Sequence, residues 1–210
     1  MTVTDAAVSG KREATKAANR AAILVAGAEV FAEIGFGAAT VRDIIRRTDL
    51  ASGTFYNYFP DKEAVLHEII EQTAGEARAR VRAARRGATG VEQFVDGAFR
   101  AYFEYLVEDP LRLELVRRNS GTIRAMFDEP SVGAGTEELR EALVAGVAAG
   151  VLPPHDVDLM AAAMIGAGFE VGVRLLDEGA ADVDGAARLL TTIFVAGFAR
   201  LASRPLRKRP

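Results

Sequence analysis

Residues 40 to 59 read TVRDIIRRTDLASGTFYNYF and contain two short amphipathic segments separated by a brief turn. Thr40 precedes the first segment, and Asp43, three positions later, completes a variant of the capping box that begins helices. Ser52 is expected to cap the second segment, and Pro60 ends it because proline disfavours helical backbone at the residue before it. Two short helices joined by such a turn predict a helix-turn-helix, whose second helix enters the DNA major groove.

The side chains of the second short helix divide into an inward and an outward set. Phe55 and Phe59 are one helical turn apart and can both face the core. The outward residues carry hydroxyl or amide groups suited to phosphates and base edges, namely Thr54, Tyr56, Asn57 and Tyr58. Gly53 would allow close approach of the backbone to DNA, and Lys62 would hold a phosphate at the start of the next helix. The pattern alone also fits a buried aromatic turn without a ligand.

The whole chain has the apolar periodicity of helices. Apolar residues recur at three- and four-residue steps from Lys11 almost to the end, and the alternation typical of strands is absent. This predicts an all-α protein of about nine helices, with a loose tail over residues 1 to 10 and a first helix from about Glu13 to Ile34. Residues 129 to 135 are rich in Pro, Gly and Ser, which predicts a loop.

Composition excludes several classes of site. The 210 residues include no Cys and two His, so thiolate zinc sites, cysteine nucleophiles and multi-histidine metal sites are not expected. Neither histidine lies beside a catalytic motif, and no phosphate loop or dinucleotide glycine motif is present, so we predict no cofactor and no enzyme activity. The net charge of −3 excludes a bulk polycation but leaves a local basic face possible. Without an apolar leader or a long apolar span, we expect a cytoplasmic protein with no membrane segment.

The span from Lys16 to Leu66 resembles the N-terminal DNA-binding domain of the TetR family of bacterial transcriptional regulators. The resemblance is carried by AEVFAEIGF at 28 to 36, by TVRDI at 40 to 44 and by SGTFYNYFPDKEAVL at 52 to 66. One departure is Asp49, where the family usually has Gly in the turn; Asp tolerates left-handed backbone better than most residues.

The resemblance implies a DNA-facing set and a two-part organisation. The residues at DNA-facing positions are Thr40, Arg42, Ser52, Gly53, Thr54, Tyr56, Asn57, Tyr58 and Lys62. We assign Arg42 and Asn57 to base edges, and the hydroxyls of Thr40, Tyr56 and Tyr58 with the Lys62 ammonium to phosphates. The expected domains are a three-helix DNA-binding domain over 11–60 and a helical ligand-binding and dimerisation domain over 61–203, which begins with a long linking helix over 62–86.

Two helices near the end of the chain are predicted at 156–178 and 182–203. Both are apolar on more than one face, so each needs two packing partners. The resemblance implies that they pair with their symmetry mates as a four-helix bundle, which would set two recognition helices against a near-palindromic double-stranded DNA operator. The alternative from the pattern alone is a core within one chain.

The family's second domain usually encloses a small-molecule pocket. Candidate lining residues are Phe94, Phe99, Tyr102, Phe103, Met126, Phe127, Met160, Met164 and Phe169. Mostly apolar walls would suit a small hydrophobic effector that releases a repressor from DNA. Two alternatives remain open: these residues form plain core, or the protein is a DNA-binding regulator controlled by a protein partner or without a small-molecule effector. A filled second half would favour the latter, and a connected cavity would favour the effector.

Overall fold

The computed structural model of the protein describes residues 3–175 and 181–203, which contain ten helices and no strand. The prediction of an all-α protein is therefore confirmed. The helices are α1 (Val3–Ile34), α2 (Val41–Ile45), α3 (Ser52–Phe55), α4 (Lys62–Arg86), α5 (Val91–Val107), α6 (Pro110–Arg118), α7 (Ser120–Ala125), α8 (Pro130–Ala148), α9 (Val157–Arg174) and α10 (Val183–Ser203).

Several boundaries differ from the prediction. Helix α1 begins at Val3, so no loose tail precedes Glu13 within the described residues. The loop predicted over 129–135 is wrong, because α8 begins at Pro130; proline fits the first helical position, where its missing N–H costs no bond. The expected Ser52 cap is wrong, because α3 begins at Ser52 with Ala51 at the N-cap position and no side-chain cap hydrogen bond. Helix α3 ends at Phe55 rather than Phe59 and continues as turns. Residues 176–178, the end of the predicted helix 156–178, lie outside the described residues.

Local sequence signals account for the helix ends around the helix-turn-helix. Gly35 follows α1 with φ +78°, a left-handed conformation that glycine adopts without steric cost. The Thr40 side chain accepts from the Asp43 N–H, and the Asp43 side chain accepts from the Thr40 N–H, so the capping box is present. The Asp61 carboxylate accepts from the Ala64 N–H at 2.8 Å and caps α4.

One apolar core runs through the N-terminal helices and beyond them. Phe31, Ile44 and Phe55 are completely buried in it. The same cluster contains Leu113 and Val116 of α6, because α1 packs on α6 as well as on α4. The division into domains at residues 11–60 and 61–203 stays a prediction, and the apolar core is continuous across that boundary.

A second core cluster lies among α5, α8, α9 and α10. Helix α10 packs on α5 and is the one described helix that is long and apolar enough to cross a membrane, although only 28% of its apolar window is buried in the chain. Length and composition of one such helix are weak grounds for a membrane span. Its outer face exposes Leu189 and Ile193, and the neighbouring α9 exposes Leu159. An apolar face therefore remains uncovered in the single chain.

Candidate nucleic-acid interface

The two short helices present a polar outer surface over an aromatic base. Phe55 and Phe59 point into the core, with 0% and 3% of their surface exposed, and their ring centroids are 6.1 Å apart. Tyr56, between them, is 61% exposed. This inward and outward division follows from helical spacing, because residues one turn apart share a face.

Most of the predicted DNA-facing residues share this outer surface. Six are exposed, namely Thr40, Arg42, Ser52, Gly53, Tyr56 and Asn57. Three are half-buried, namely Thr54, Tyr58 and Lys62. Their roles on DNA stay predictions, but the contacts that each side chain makes within the protein constrain those roles.

The Thr40 hydroxyl already makes hydrogen bonds within the N-terminal cap of α2. The hydroxyl donates to Asp43 Oδ2 at 2.6 Å, and the Thr40 N–H donates to the same oxygen at 3.0 Å. These two hydrogen bonds hold the pKa of the Asp43 carboxyl below its usual value, with Arg46 and Arg42 contributing nearby positive charge. A phosphate at this position would therefore meet the N-terminus of α2 rather than a free threonine side chain.

Lys62 joins helix α4 to the connector between α1 and α2. Its Nζ donates to the carbonyl oxygens of Phe36 and Ala39, both at 2.8 Å, and lies 4.4 Å from the centre of the Phe36 ring. At most one ammonium proton remains for a phosphate. The sequence offered no signal for this role, because the two acceptors lie more than twenty positions away along the chain.

Basic residues around the helix-turn-helix fall into a paired and an unpaired group. Arg47 forms ion pairs with Glu33 and Glu29, and Arg20 pairs with Glu68 on α4. Arg42 and Arg46 are exposed and form no ion pair with any described residue. Unpaired arginines beside an exposed hydroxyl and amide surface suit a polyanionic partner.

Asn119 fixes the end of α1 from the second half of the chain. It is 4% exposed, its Oδ1 accepts from the Phe36 N–H at 2.6 Å, and its Nδ2 donates to the Phe31 and Leu115 carbonyls at 2.9 and 2.7 Å. Sequence reasoning missed this residue. Its side chain satisfies backbone groups freed where α1 ends, and it links them to α6.

Packing within the chain does not require glycine at position 53. A Cβ built on it would meet no atom within 4 Å, and its φ lies outside the left-handed region. The backbone at this position is therefore open to close approach from outside the chain.

A cavity of about 190 Å³ lies in the second half, between helices α4 to α9. Five of the nine predicted pocket residues line it, namely Phe99, Tyr102, Phe127, Met164 and Phe169. The other four do not: Phe94 lies under the Arg85 guanidinium, Phe103 is fully buried, Met126 belongs to the first core cluster and Met160 packs beside the second. Helical spacing could not separate the two sets, because neighbouring turns of one helix face different partners.

The cavity also has a charged end that sequence reasoning missed. Arg78 and Arg85 of α4 and Glu138 of α8 line it. Arg78 Nε lies 3.3 Å from Glu138 Oε1 without hydrogen-bonding geometry, and the buried Nε atoms of both arginines have no hydrogen-bond acceptor among the described residues. Burial lowers the pKa of the Arg85 guanidinium, and the Glu138 charge opposes that shift.

The fold defines a helix-turn-helix protein whose second helical part encloses a cavity. Residues 23–69 match the sequence model of the family described as bacterial regulatory proteins, tetR family. The chain is 32% identical over 97 residues to the transcriptional regulator UidR of Escherichia coli K12; that match covers 46% of this chain and 50% of UidR, so it spans half the length of that relative. The resemblance of residues 16–66 to the DNA-binding domain of the TetR family is therefore confirmed over the matched residues.

Two further relatives extend the similarity beyond the helix-turn-helix. The transcriptional repressor KstR2 of Mycolicibacterium smegmatis is 28% identical over 149 residues, covering 69% of this chain and 73% of KstR2. The solved structure of FadR from Bacillus subtilis in complex with stearoyl-CoA matches with a TM-score of 0.71 at 22% identity, covering 84% of this chain and 97% of that one. These relatives are named as transcriptional regulators, the class of protein that the resemblance predicted.

Proposed function

We propose that the protein is a cytoplasmic, sequence-specific DNA-binding transcriptional regulator, acting as a homodimeric repressor that a small hydrophobic ligand releases from a near-palindromic operator. The observation that carries the DNA-binding part is the outward polar surface of α3 over the buried Phe55 and Phe59. A helix whose inner face is anchored this firmly presents its outer side chains in a fixed geometry, which base-edge recognition in the major groove requires.

The exposed apolar face on α9 and α10 supports the homodimer. Leu159, Leu189 and Ile193 are 70%, 55% and 52% exposed, respectively, although each lies on a helix whose other face is buried. A second copy would cover this face, since a two-fold axis brings the same surface of each protomer together. The two α3 helices would then address two half-sites of one duplex.

The cavity supports control by a ligand over control by a protein partner or by no effector. A filled second half would have left a small molecule no place to bind, whereas about 190 Å³ of connected space lies between helices that also touch the DNA-binding part. Helices α4 and α6 line this space through Ala77 and Val116 and also pack on α1. The solved FadR structure, which has the same fold and is in complex with stearoyl-CoA, supports a ligand that has a long apolar chain.

Ligand binding in the cavity would be coupled to DNA binding through helices that contact both regions. A ligand that favours one arrangement of α4 and α6 would change the populations of the positions that α2 and α3 adopt. It would release DNA to the extent that it binds this arrangement more tightly than the DNA-binding one. Lys62 on α4 and Asn119, the residue that follows α6, both hold the connector after α1, so movement of either helix would be passed to α2 and α3.

The test is selection of binding sites from random duplex, followed by footprinting with and without a panel of hydrophobic compounds. The proposal expects a near-palindromic footprint, one dimer per site by sedimentation, and loss of the footprint with at least one compound. Ile193→Glu should yield a monomer that binds the site far more weakly. A monomeric wild-type protein, or a DNA site without symmetry, would refute the proposed homodimer.

The base assignments are tested on the selected site. Arg42→Ala should lower discrimination between the selected and a random duplex by about 1–3 kcal/mol, whereas Tyr56→Phe, which removes one hydroxyl, should weaken both duplexes alike. Equal loss on both duplexes for Arg42→Ala would refute its assignment to a base edge.

A further inference from the structure

The charged end of the cavity contains more positive than negative charge. Helix α4 contributes a cavity-facing stripe in which Ala74, Ala77 and Val81 are flanked by Arg78 and Arg85, about two helical turns apart. The described part of the cavity wall contains one carboxylate, Glu138, against these two guanidinium groups. A buried excess of positive charge is costly unless an anion compensates it.

The existing partners leave both arginines incompletely satisfied. Glu138 faces Arg78 at 3.3 Å, and it also lies 3.4 Å from Nη2 of Arg82, a more exposed residue. Arg85 has the ring of Phe94 at 4.7 Å but no ion pair with a described residue. Guanidinium groups bind carboxylates and phosphates through paired N–H donors, so the free Nε atoms of Arg78 and Arg85 are suited to an incoming anion.

Most of the other residues that line the cavity are apolar. Phe99, Phe127, Met164 and Phe169 are among them, and Tyr102 lies beside them in the same wall. Burial raises the pKa of Tyr102, so the hydroxyl stays a neutral donor near pH 7. The cavity thus combines an apolar chamber with a cationic end.

We propose that the effector is an anionic amphiphile, with an apolar body among the aromatic residues and a carboxylate or phosphate group at Arg78 and Arg85. Glu138 then competes with the ligand for Arg78, and an incoming anion displaces it. This proposal rests on the ligand response proposed above and narrows the ligand from hydrophobic compounds in general to those with an acidic head group.

The experiment is calorimetric titration of the full-length protein, without DNA, with decanoate, decyl phosphate and decanol below their micelle-forming concentrations. We expect at least one of the two anions to bind about tenfold or more tightly than decanol, since a hydrogen bond to a charged group is the stronger kind. Preference for decanoate over decyl phosphate, or the reverse, would identify the acidic group. Equal binding of the anions and decanol, or no binding of any of the three, would overturn the proposal.

Three variants test which side chains of the cavity determine anion affinity. Arg85→Gln and Arg78→Gln should each weaken binding of the preferred anion by about tenfold without changing that of decanol. Glu138→Gln should tighten anion binding, because the competing carboxylate is removed. Arg86→Gln is the matched control, since Arg86 is exposed and outside the cavity wall, and it should leave anion affinity unchanged.

The design separates this proposal from the proposed function. Binding is measured without DNA, so a protein that binds decanoate through Arg85 but recognises no operator would refute the regulator while sustaining the anion site. Unchanged anion affinity in both arginine variants, folded as judged by circular dichroism, would overturn the anion site whatever the DNA result.

Discussion

The helix-turn-helix head and the second half are both rich in aromatic residues, yet they are filled differently. In the head, Phe31 and Phe55 are completely buried, and Ile44 and Val65 pack beside them with 0% exposure. In the second half, Phe99 and Phe127 border a cavity of about 190 Å³ whose remaining walls include the small residues Ala77 and Ala98. Aromatic content is therefore no measure of how tightly a region is packed.

The difference matches what each region has to do. A close-packed core resists displacement of its side chains, so the outer surface of α3 keeps its shape. A cavity leaves its walls without contacts on one side, so the helices around it can adopt a second arrangement at lower cost.

The largest effect on stability is expected from truncation of Phe55, the buried aromatic residue of α3. Phe55→Ala should lower the free energy of unfolding by about 3–5 kcal/mol, because it leaves a cavity in a filled core. Phe127→Ala should cost clearly less, since its ring is half-buried and already borders open space. Urea unfolding of both variants at one protein concentration measures the difference; equal losses would contradict the contrast in packing.

The second prediction concerns the buried amide that joins the two regions. Asn119→Ala should lower the free energy of unfolding by about 1–3 kcal/mol, because the Phe36 N–H loses its acceptor and the Phe31 carbonyl keeps only the Gly35 N–H as a donor. DNA affinity should fall as well, since the connector before α2 is released. Asn57→Ala is the matched control, an exposed asparagine whose loss should weaken DNA binding and leave stability unchanged.

The third prediction compares one enlargement in each region. Ala26→Leu, at a position 2% exposed in the head core, should destabilise by about 1–3 kcal/mol through overpacking. Ala77→Leu projects into the cavity and should be nearly neutral, while reducing the space for a ligand. Thermal unfolding and ligand titration check the pair, and similar destabilisation by both would show that the cavity walls are as rigid as the head.

The smallest expected change in stability is at the open glycine of α3. Gly53→Ala should leave the protein as stable or up to about 1 kcal/mol more stable, because alanine favours helix and its Cβ meets no atom. DNA affinity should nevertheless fall, since the methyl group would separate the backbone from a duplex. Gly121→Ala in α7, whose Cβ also has open space, should change neither DNA affinity nor the footprint.

Signals that are local in sequence predicted the DNA-binding part well. The capping box at Thr40 and Asp43 and the inward pair Phe55 and Phe59 are present as expected. Each depends on residues a few positions apart, so the sequence contains the whole interaction. The same reasoning failed over 129–135, where Pro130 starts a helix because packing outweighs the loop-like composition.

By itself, the amino-acid sequence determined that the protein is helical, where α2 begins and which side of α3 is polar, because backbone geometry and capping act within a turn or two. Only the tertiary structure decided that Lys62 and Asn119 clamp the connector after α1 and that five of nine candidate residues line a cavity. It also decided that Arg78, Arg85 and Glu138 meet at the cavity's end. Such contacts depend on how distant helices pack, and periodicity along one helix cannot specify its partner.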